Sequence, residues 1–170
     1  MTTHTWFECK VKYVKTGDDG KESKVSETYL IDAVSYTEAE ARIYTELETF
    51  IQGTFIISAL KKSNIGEIVP SEDENDDRWY KGKIAVLDAD ELTGKEKRTN
   101  LYSLVAAKDI NTALVYLDKS FSTYIVPYEI ASISDTNIID VYPYFKNEDE
   151  DIPENLKPLS EVEESAHDFE

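Results

Sequence analysis

The sequence predicts an α+β domain built by tandem duplication of one ββαβ(β) unit, and three observations carry this. Short strings recur at an offset of 73–74 residues. The apolar residues of each copy change period from two to about 3.6 and back. Most of the acidic charge falls outside the copies. Residues 1–70 form the first ββαβ(β) repeat, 71–77 an acidic linker, 78–145 the second repeat and 146–170 an acidic tail.

The duplication is visible residue by residue. Trp6-Phe7-Glu8-Cys9-Lys10-Val11 matches Trp79-Tyr80-Lys81-Gly82-Lys83-Ile84 at an offset of 73. Leu30-Ile31-Asp32-Ala33 matches Leu104-Val105-Ala106-Ala107 at 74, and Ala39, Ile43 and Leu47 match Ala113, Leu117 and Phe121 at the same 74. The closing string from Ser63 to Pro70 returns as Thr136 to Pro143, at 73 again.

Within the first copy, Phe7, Cys9, Val11 and Tyr13 alternate with Glu8, Lys10 and Lys12, the pattern of a half-buried strand. A Gly/Asp/Lys turn leads into a second strand over Val25–Ala33, which makes a hairpin. Ser35 and Glu38 have the spacing of a capping box, in which hydroxyl and carboxylate each take a free N–H at the start of a helix. The stripe of Ala39, Ile43, Leu47, Phe50 and Ile51 is that helix's apolar face. In the second copy Asp109 or Asn111 caps, and Ala113, Leu117 and Phe121 make the stripe. Phe55–Leu60 and Ile65–Val69 read as one or two short strands. One copy alone has a thin core, so the two are expected to form a pseudo-twofold domain whose sheets join or pack while helices cover one face.

The net charge of −17 argues against a general duplex-DNA binder, because phosphate attraction needs positive surface. Its distribution softens that argument. Residues 146–170 hold 10 acids against 2 lysines, and 71–77 hold 5 acids and no base. The repeats themselves are near balance and leave room for a locally basic face. The single cysteine, Cys9, excludes an intrachain disulfide, fits a reducing cytosol and reads as a buried structural thiol. No apolar run reaches the ~18 residues of a membrane span, and no signal peptide pattern opens the chain. A soluble, cytoplasmic protein is expected, in the host-cell cytoplasm if phage-encoded. The tail, with acids throughout, two prolines and no periodicity, is expected to be disordered.

No catalytic constellation emerges. His4 and His167 are the only histidines and lie near the chain ends outside the repeats, where neither is expected in a packed site. This argues against a histidine triad or a zinc centre. The acids fall on linker, tail and helix exteriors rather than in a fixed pair with split pKa values. Gly94-Lys95 sits in a hairpin turn, not in a phosphate loop ahead of a helix. No catalytic residue, metal or cofactor is expected, and the protein reads as non-enzymatic.

One repeated feature points to binding. Pleating turns Trp6, Lys10 and Lys12 away from Phe7, Cys9 and Val11; in the second copy the equivalent residues are Trp79, Lys81 and Lys83. Lys97 and Arg98 add charge in the second hairpin. Aromatics interleaved with cations on a sheet suit single-stranded DNA, since each base offers a π-face and each phosphate needs a counter-charge. The plainer alternative is a Trp at the edge of the core, with lysines that guard edge strands against aggregation.

The tail contains Glu150-Asp151-Ile152-Pro153 and ends Asp168-Phe169-Glu170. It resembles the acidic tails of bacterial and phage single-stranded-DNA-binding proteins. That resemblance implies that Asp151, Ile152, Pro153, Asp168 and Phe169 recruit replication or host proteins while the acids compete with DNA. It covers the tail alone, because the body lacks the five-strand pattern of an OB-fold. Over residues 6–144, the strings Trp6 to Val11, Ser35 to Ile43, Arg78 to Lys81 and Ile139 to Pro143 resemble a domain-of-unknown-function family of Bacteroides-group bacteria and their tailed phages. That resemblance implies no activity. The expected function is single-stranded nucleic-acid binding in phage or mobile-element replication or recombination. The alternatives are an acidic protein-interaction module or DNA mimic acting on a host nucleic-acid enzyme, and a virion component.

Overall fold

The computed structural model describes residues 4–144; the acidic tail, the disorder expected of it, and its residues Asp151, Ile152, Pro153, His167, Asp168 and Phe169 lie outside the described residues. Chain order is β1 (Thr5–Thr16), β2 (Glu22–Ala33), α1 (Tyr36–Leu47), β3 (Phe55–Lys62), β4 (Glu67–Val69), β5 (Arg78–Ala89), β6 (Glu96–Ala107), α2 (Ile110–Phe121), β7 (Tyr128–Asp135) and β8 (Ile138–Tyr142). The predicted ββαββ order is present twice, in an α+β fold.

Each repeat opens with a long hairpin. β1 and β2 pair antiparallel from Thr5↔Ala33 to Thr16↔Glu22, and β5 and β6 from Arg78↔Ala107 to Ala89↔Glu96. The turns close on Gly20 and Gly94, whose φ values of 76° and 66° lie in the left-handed region that glycine enters without strain. β3 and β7 add antiparallel to β1 and β5, with register shifts at Lys10/Val11 and Lys83/Ile84, the same place in both halves.

The fourth strands then change places. The two sheets have the orders β3-β1-β2-β8 and β4-β6-β5-β7, so β8 of the second repeat lies parallel to β2, and β4 of the first lies parallel to β6. Distance explains why β8 cannot stay in its own sheet. Within one sheet the vacancy beside β2 or β6 is three strand spacings, about 14 Å, from β3 or β7. Only Thr136 and Asn137 separate β7 from β8, which is too short to cross it. The repeats bounded in sequence therefore do not each close on themselves.

The helices begin as their caps dictate. Ser35 Oγ accepts from the Glu38 N–H at 3.1 Å, and Glu38 reaches back to the Val34 N–H at 3.4 Å. In the second half Asp109 is the cap, with Oδ1 accepting from the Thr112 N–H at 2.7 Å. α1 buries Ala39, Ile43 and Leu47, and α2 buries Ala113, Leu117 and Phe121, as their stripes require. Phe50 departs from the expected stripe: α1 ends at Leu47, and Phe50 is 74% exposed while Ile51 is buried.

Three apolar clusters result. Phe7, Cys9, Val11, Ile31, Ile43 and Leu47 join α1 to the first sheet; Tyr80, Ile84, Val105, Leu117 and Phe121 join α2 to the second. The third belongs to neither helix. Leu30, Ile65, Leu104 and Ile138 meet between the sheets, so each sheet carries its helix on one face and turns the other toward its counterpart at this seam.

The acidic linker is tied to the second half. Asp76 accepts from the hydroxyls of Ser71 (2.5 Å) and Tyr116 (2.7 Å) and from the Lys108 N–H (3.0 Å). These bonds hold its carboxyl below the usual carboxylate range. Among the described residues, no helix is long and apolar enough to cross a membrane.

Candidate interaction face

Pleating does turn Trp6 and Trp79 off the helix-bearing faces, and there they meet the seam. Trp6 pairs with Asp32 and Trp79 with Ala106. Both indoles are half-buried against the cluster of Leu30, Ile65, Leu104 and Ile138. Their backbones are fixed as well: the Trp6 carbonyl accepts from the Ser63 N–H at 2.8 Å, and that of Trp79 accepts from the Thr136 N–H at 3.2 Å and hydroxyl at 2.7 Å. An indole packed in this way has given ring surface to the core that a stacking platform would need.

The matching bulges correct the pairing of lysines between the halves. Lys10 corresponds to Lys83, Glu8 to Lys81, and Lys12 to Ala85. The cations of the second sheet have neighbours already. Lys81 Nζ donates to Asn64 Oδ1 at 2.6 Å and lies 4.9 Å from the Tyr102 ring centroid. Arg98 stands 3.7 Å from Glu129, and Lys97 faces Asp88 across the ladder. Lys83 is half-buried between Tyr102 and Ser132.

The first sheet differs. Lys10 and Lys12 are exposed on its helix-free face, opposite Thr28 and Ser26 on one side and Ala59 and Ile56 on the other. Lys24 follows, opposite Val14. Glu8, on the same face, lies 3.8 Å from Lys61. Among the described residues Lys10, Lys12 and Lys24 have no ion-pair partner.

Around Lys12 and Lys24 the surface becomes apolar. Lys12, Val14, Lys24, Ser26 and Ile56 line an open groove of about 420 Å³, in which Ile56 is 61% and Val14 49% exposed. β3 stops pairing at Tyr13↔Phe55 while β1 runs on to Thr16, so among the described residues Val14–Thr16 has no strand along its outer edge. Phe50 stands in an adjoining hollow beside Val14 and Lys15. An apolar floor, a cationic rim and a strand edge with free backbone groups together suit an extended segment that carries both apolar and acidic side chains. Sequence reasoning found the lysines but not Val14 and Ile56; their positions in the alternation, on the same face as Lys12, were the available signal.

Other titratable groups are structural. Burial, aided by Glu40, pushes the Cys9 thiol up to about 11, so it stays protonated inside the first core. The hydroxyls of Tyr13 and Tyr29 both donate to Glu27, at 3.0 and 2.6 Å, and burial together with that carboxylate raises both phenols.

His4 corrects the expectation that it lies outside any packed site. Its ring is 4.4 Å from that of Tyr144, and Nδ1 is 3.6 Å from the buried Asp32 Oδ1. Burial raises the Asp32 carboxyl; His4 and Arg42 oppose it. Arg42 donates to the carbonyls of Asp32 and Pro143, and its guanidinium lies 5.0 Å from the Tyr144 ring centroid. Tyr116, at the position of α2 that matches Arg42, holds Asp76. Each helix thus fastens the chain that leaves the strand it received.

Among the described residues no group of three or more His, Cys, Asp or Glu could hold a metal ion. No curated protein matches the chain. A family model described as a domain of unknown function, DUF4494, matches residues 5–144, the two sheets and both helices together, and the chain belongs to that family.

Proposed function

We propose that the protein is a non-enzymatic interaction module that captures an extended, acidic and apolar protein segment in the groove of Lys12, Val14, Lys24 and Ile56. The observation that carries this is the conjunction, in one place, of lysines without an ion-pair partner and a stretch of β1 without a neighbouring strand, both among the described residues, with exposed apolar side chains. Backbone groups of β1 supply affinity without regard to sequence, and alternate side chains of the bound segment select for apolar and acidic residues. A source in Bacteroides-group bacteria or their phages, and a regulatory role toward a host nucleic-acid enzyme, belong to the same proposal.

The row Lys10, Lys12 and Lys24 favours a second reading, single-stranded DNA binding. In it the lysines meet phosphates, Lys83, Lys97 and Arg98 extend the track, and the acidic tail competes with the strand and recruits replication proteins. The half-buried state of Trp6 and Trp79 weighs against it, because aromatic stacking supplies much of such affinity.

Titration of the full chain with a peptide of alternating Glu and Leu, and separately with oligothymidylate, at two salt concentrations separates the readings. Peptide binding that is lost in Ile56→Ser supports the module. Oligonucleotide binding with a steep salt dependence, lost in Lys10→Glu/Lys12→Glu and indifferent to Ile56→Ser, overturns it in favour of the second reading.

A further inference from the structure

We infer that the protein forms a symmetric dimer through the outer edge of β7, with the same edge of a second copy added antiparallel to it and one flank of α2 beside the join. The groove of Lys12 and Ile56 takes no part in this contact.

The backbone sets the register. β7 is an edge strand of its sheet, with β5 on one side and no strand on the other among the described residues. The Pro127 carbonyl accepts from the Leu87 N–H, and the Thr136 N–H donates to the Trp79 carbonyl, so both ends of β7 are anchored in the ladder with β5. Alternate residues of an antiparallel strand turn their N–H and C=O to the opposite side. From Pro127 inward the outward-facing residues are therefore Tyr128 and Ile130; from Thr136 inward they are Asp135 and Ile133. The bulge reconciles the two ends: Ile130 faces Ile84, Ser132 faces Lys83, and Ala131 is the extra residue between them. The four outward positions are thus symmetric about the midpoint of Ala131 and Ser132. A second copy turned about a twofold axis at that midpoint sets Tyr128 against Asp135 and Ile130 against Ile133, reciprocally, with free backbone groups facing free backbone groups.

The side chains suit that register. Ile130 and Ile133 lie on the helix side of β7, packed against the second core. Asp118 accepts from the Tyr128 hydroxyl at 2.8 Å, which turns the row Ile110, Leu114 and Asp118 of α2 toward β7. Ile110 and Leu114 are 49% and 44% exposed on this flank, whereas the position of α1 that matches Leu114 carries Glu40.

Charge selects β7 over β3. Arg78 pairs with Asp135 and Arg98 with Glu129, so both ends of the β7 edge are neutral. In the twofold register Arg78 of one copy comes to the end of the edge where Asp118 of the other stands. On β3 the positions that match Ser134 and Asp135 hold Lys61 and Lys62, cations that guard an edge. Self-pairing of β3 would set Lys61 of one copy beside Ile56 and Lys12 of the other.

Sedimentation velocity of the full chain over a dilution series, with amide hydrogen exchange at its two ends, tests this. The expected result is a reversible monomer–dimer equilibrium. The amides of Tyr128, Ile130, Ile133 and Asp135 gain protection only where the dimer is populated, while those of Glu129, Ser132 and Ser134 stay protected by β5 throughout. Leu114→Glu, which sets a carboxylate on each side of the axis, is expected to weaken the dimer about tenfold or more. Ser132→Lys does the same from the opposite face of the sheet. Ile56→Ser is expected to leave dimerisation unchanged, so the dimer and the groove fail separately. A chain that stays monomeric at every concentration overturns the inference. So do protection gained instead at Phe55, Ile57, Leu60 and Lys62 of β3, growth beyond a dimer, and a dimer indifferent to both Leu114→Glu and Ser132→Lys.

Discussion

Gly82 on β5 and Leu117 on α2 share one volume: a Cβ on Gly82 would stand 2.5 Å from Leu117 Cδ1. In the first half the matching residues are Cys9 and Ile43, both fully buried, so the same strand-to-helix contact is filled there by a side chain from the strand. Gly82→Ala is expected to cost about 1–3 kcal/mol through overpacking. The check is a lowered urea midpoint with an unchanged slope. Adding Leu117→Val removes the methyl in the way and is expected to return most of the loss.

The seam between the sheets supports a second expectation. Leu30 and Leu104 are fully buried there, with both tryptophans packed against the same cluster. Leu30→Ala or Leu104→Ala is expected to cost about 2–5 kcal/mol, according to how far the seam relaxes. Native tryptophan emission is expected to shift to the red in either variant, whereas Ile43→Ala, in the helix-bearing cluster, leaves the emission wavelength in place.

Asp76 predicts an acid-range effect. Hydrogen bonds from Ser71, Tyr116 and Lys108 depress its carboxyl, so its contribution is present above the unfolded carboxylate pKa of about 3.9 and is lost as pH falls through the lower folded value. Asp76→Ala is expected to lower the urea midpoint at pH 6 and to converge on the unaltered protein toward pH 2. The same gap at both pH values would exclude ionisation as the cause.

Local patterns carried the elements, and the tertiary exchange lay beyond them. Alternation along Phe7–Tyr13 and the 3–4 spacing of Ala39–Ile43–Leu47 are set by strand and helix geometry within a few residues, and these elements stand where their periods put them. Phe50 continued the helical spacing in number only; Glu48 closes α1 with no glycine or proline to mark the stop, and Gly53 comes later. The parity of Trp6 and Trp79 told which face they leave. It could not tell that the other sheet covers part of that face, because the contact joins residues far apart in sequence. The string match at offset 73 already set Lys83 against Lys10; taking Lys81 and Lys83 as the equivalents of Lys10 and Lys12 departed from it, and the bulge at Lys83/Ile84 agrees with the string match. His4 is a chain-end residue by number and a neighbour of Asp32 and Tyr144 in space, brought there by β8 arriving beside β2.

The traded fourth strands also bear on ancestry. A single repeat on the plan of the second half, with two residues between its last strands, would be too tightly tethered to fill its own open edge and would complete its sheet by giving that strand to a second molecule. Such a chain would be a domain-swapped homodimer. Joining the copies through residues 71–77 makes the encounter intramolecular and independent of dilution. It also frees the halves to diverge: among the described residues, one has an open groove and lysines without an ion-pair partner, while in the other Lys81 and Arg98 have partners.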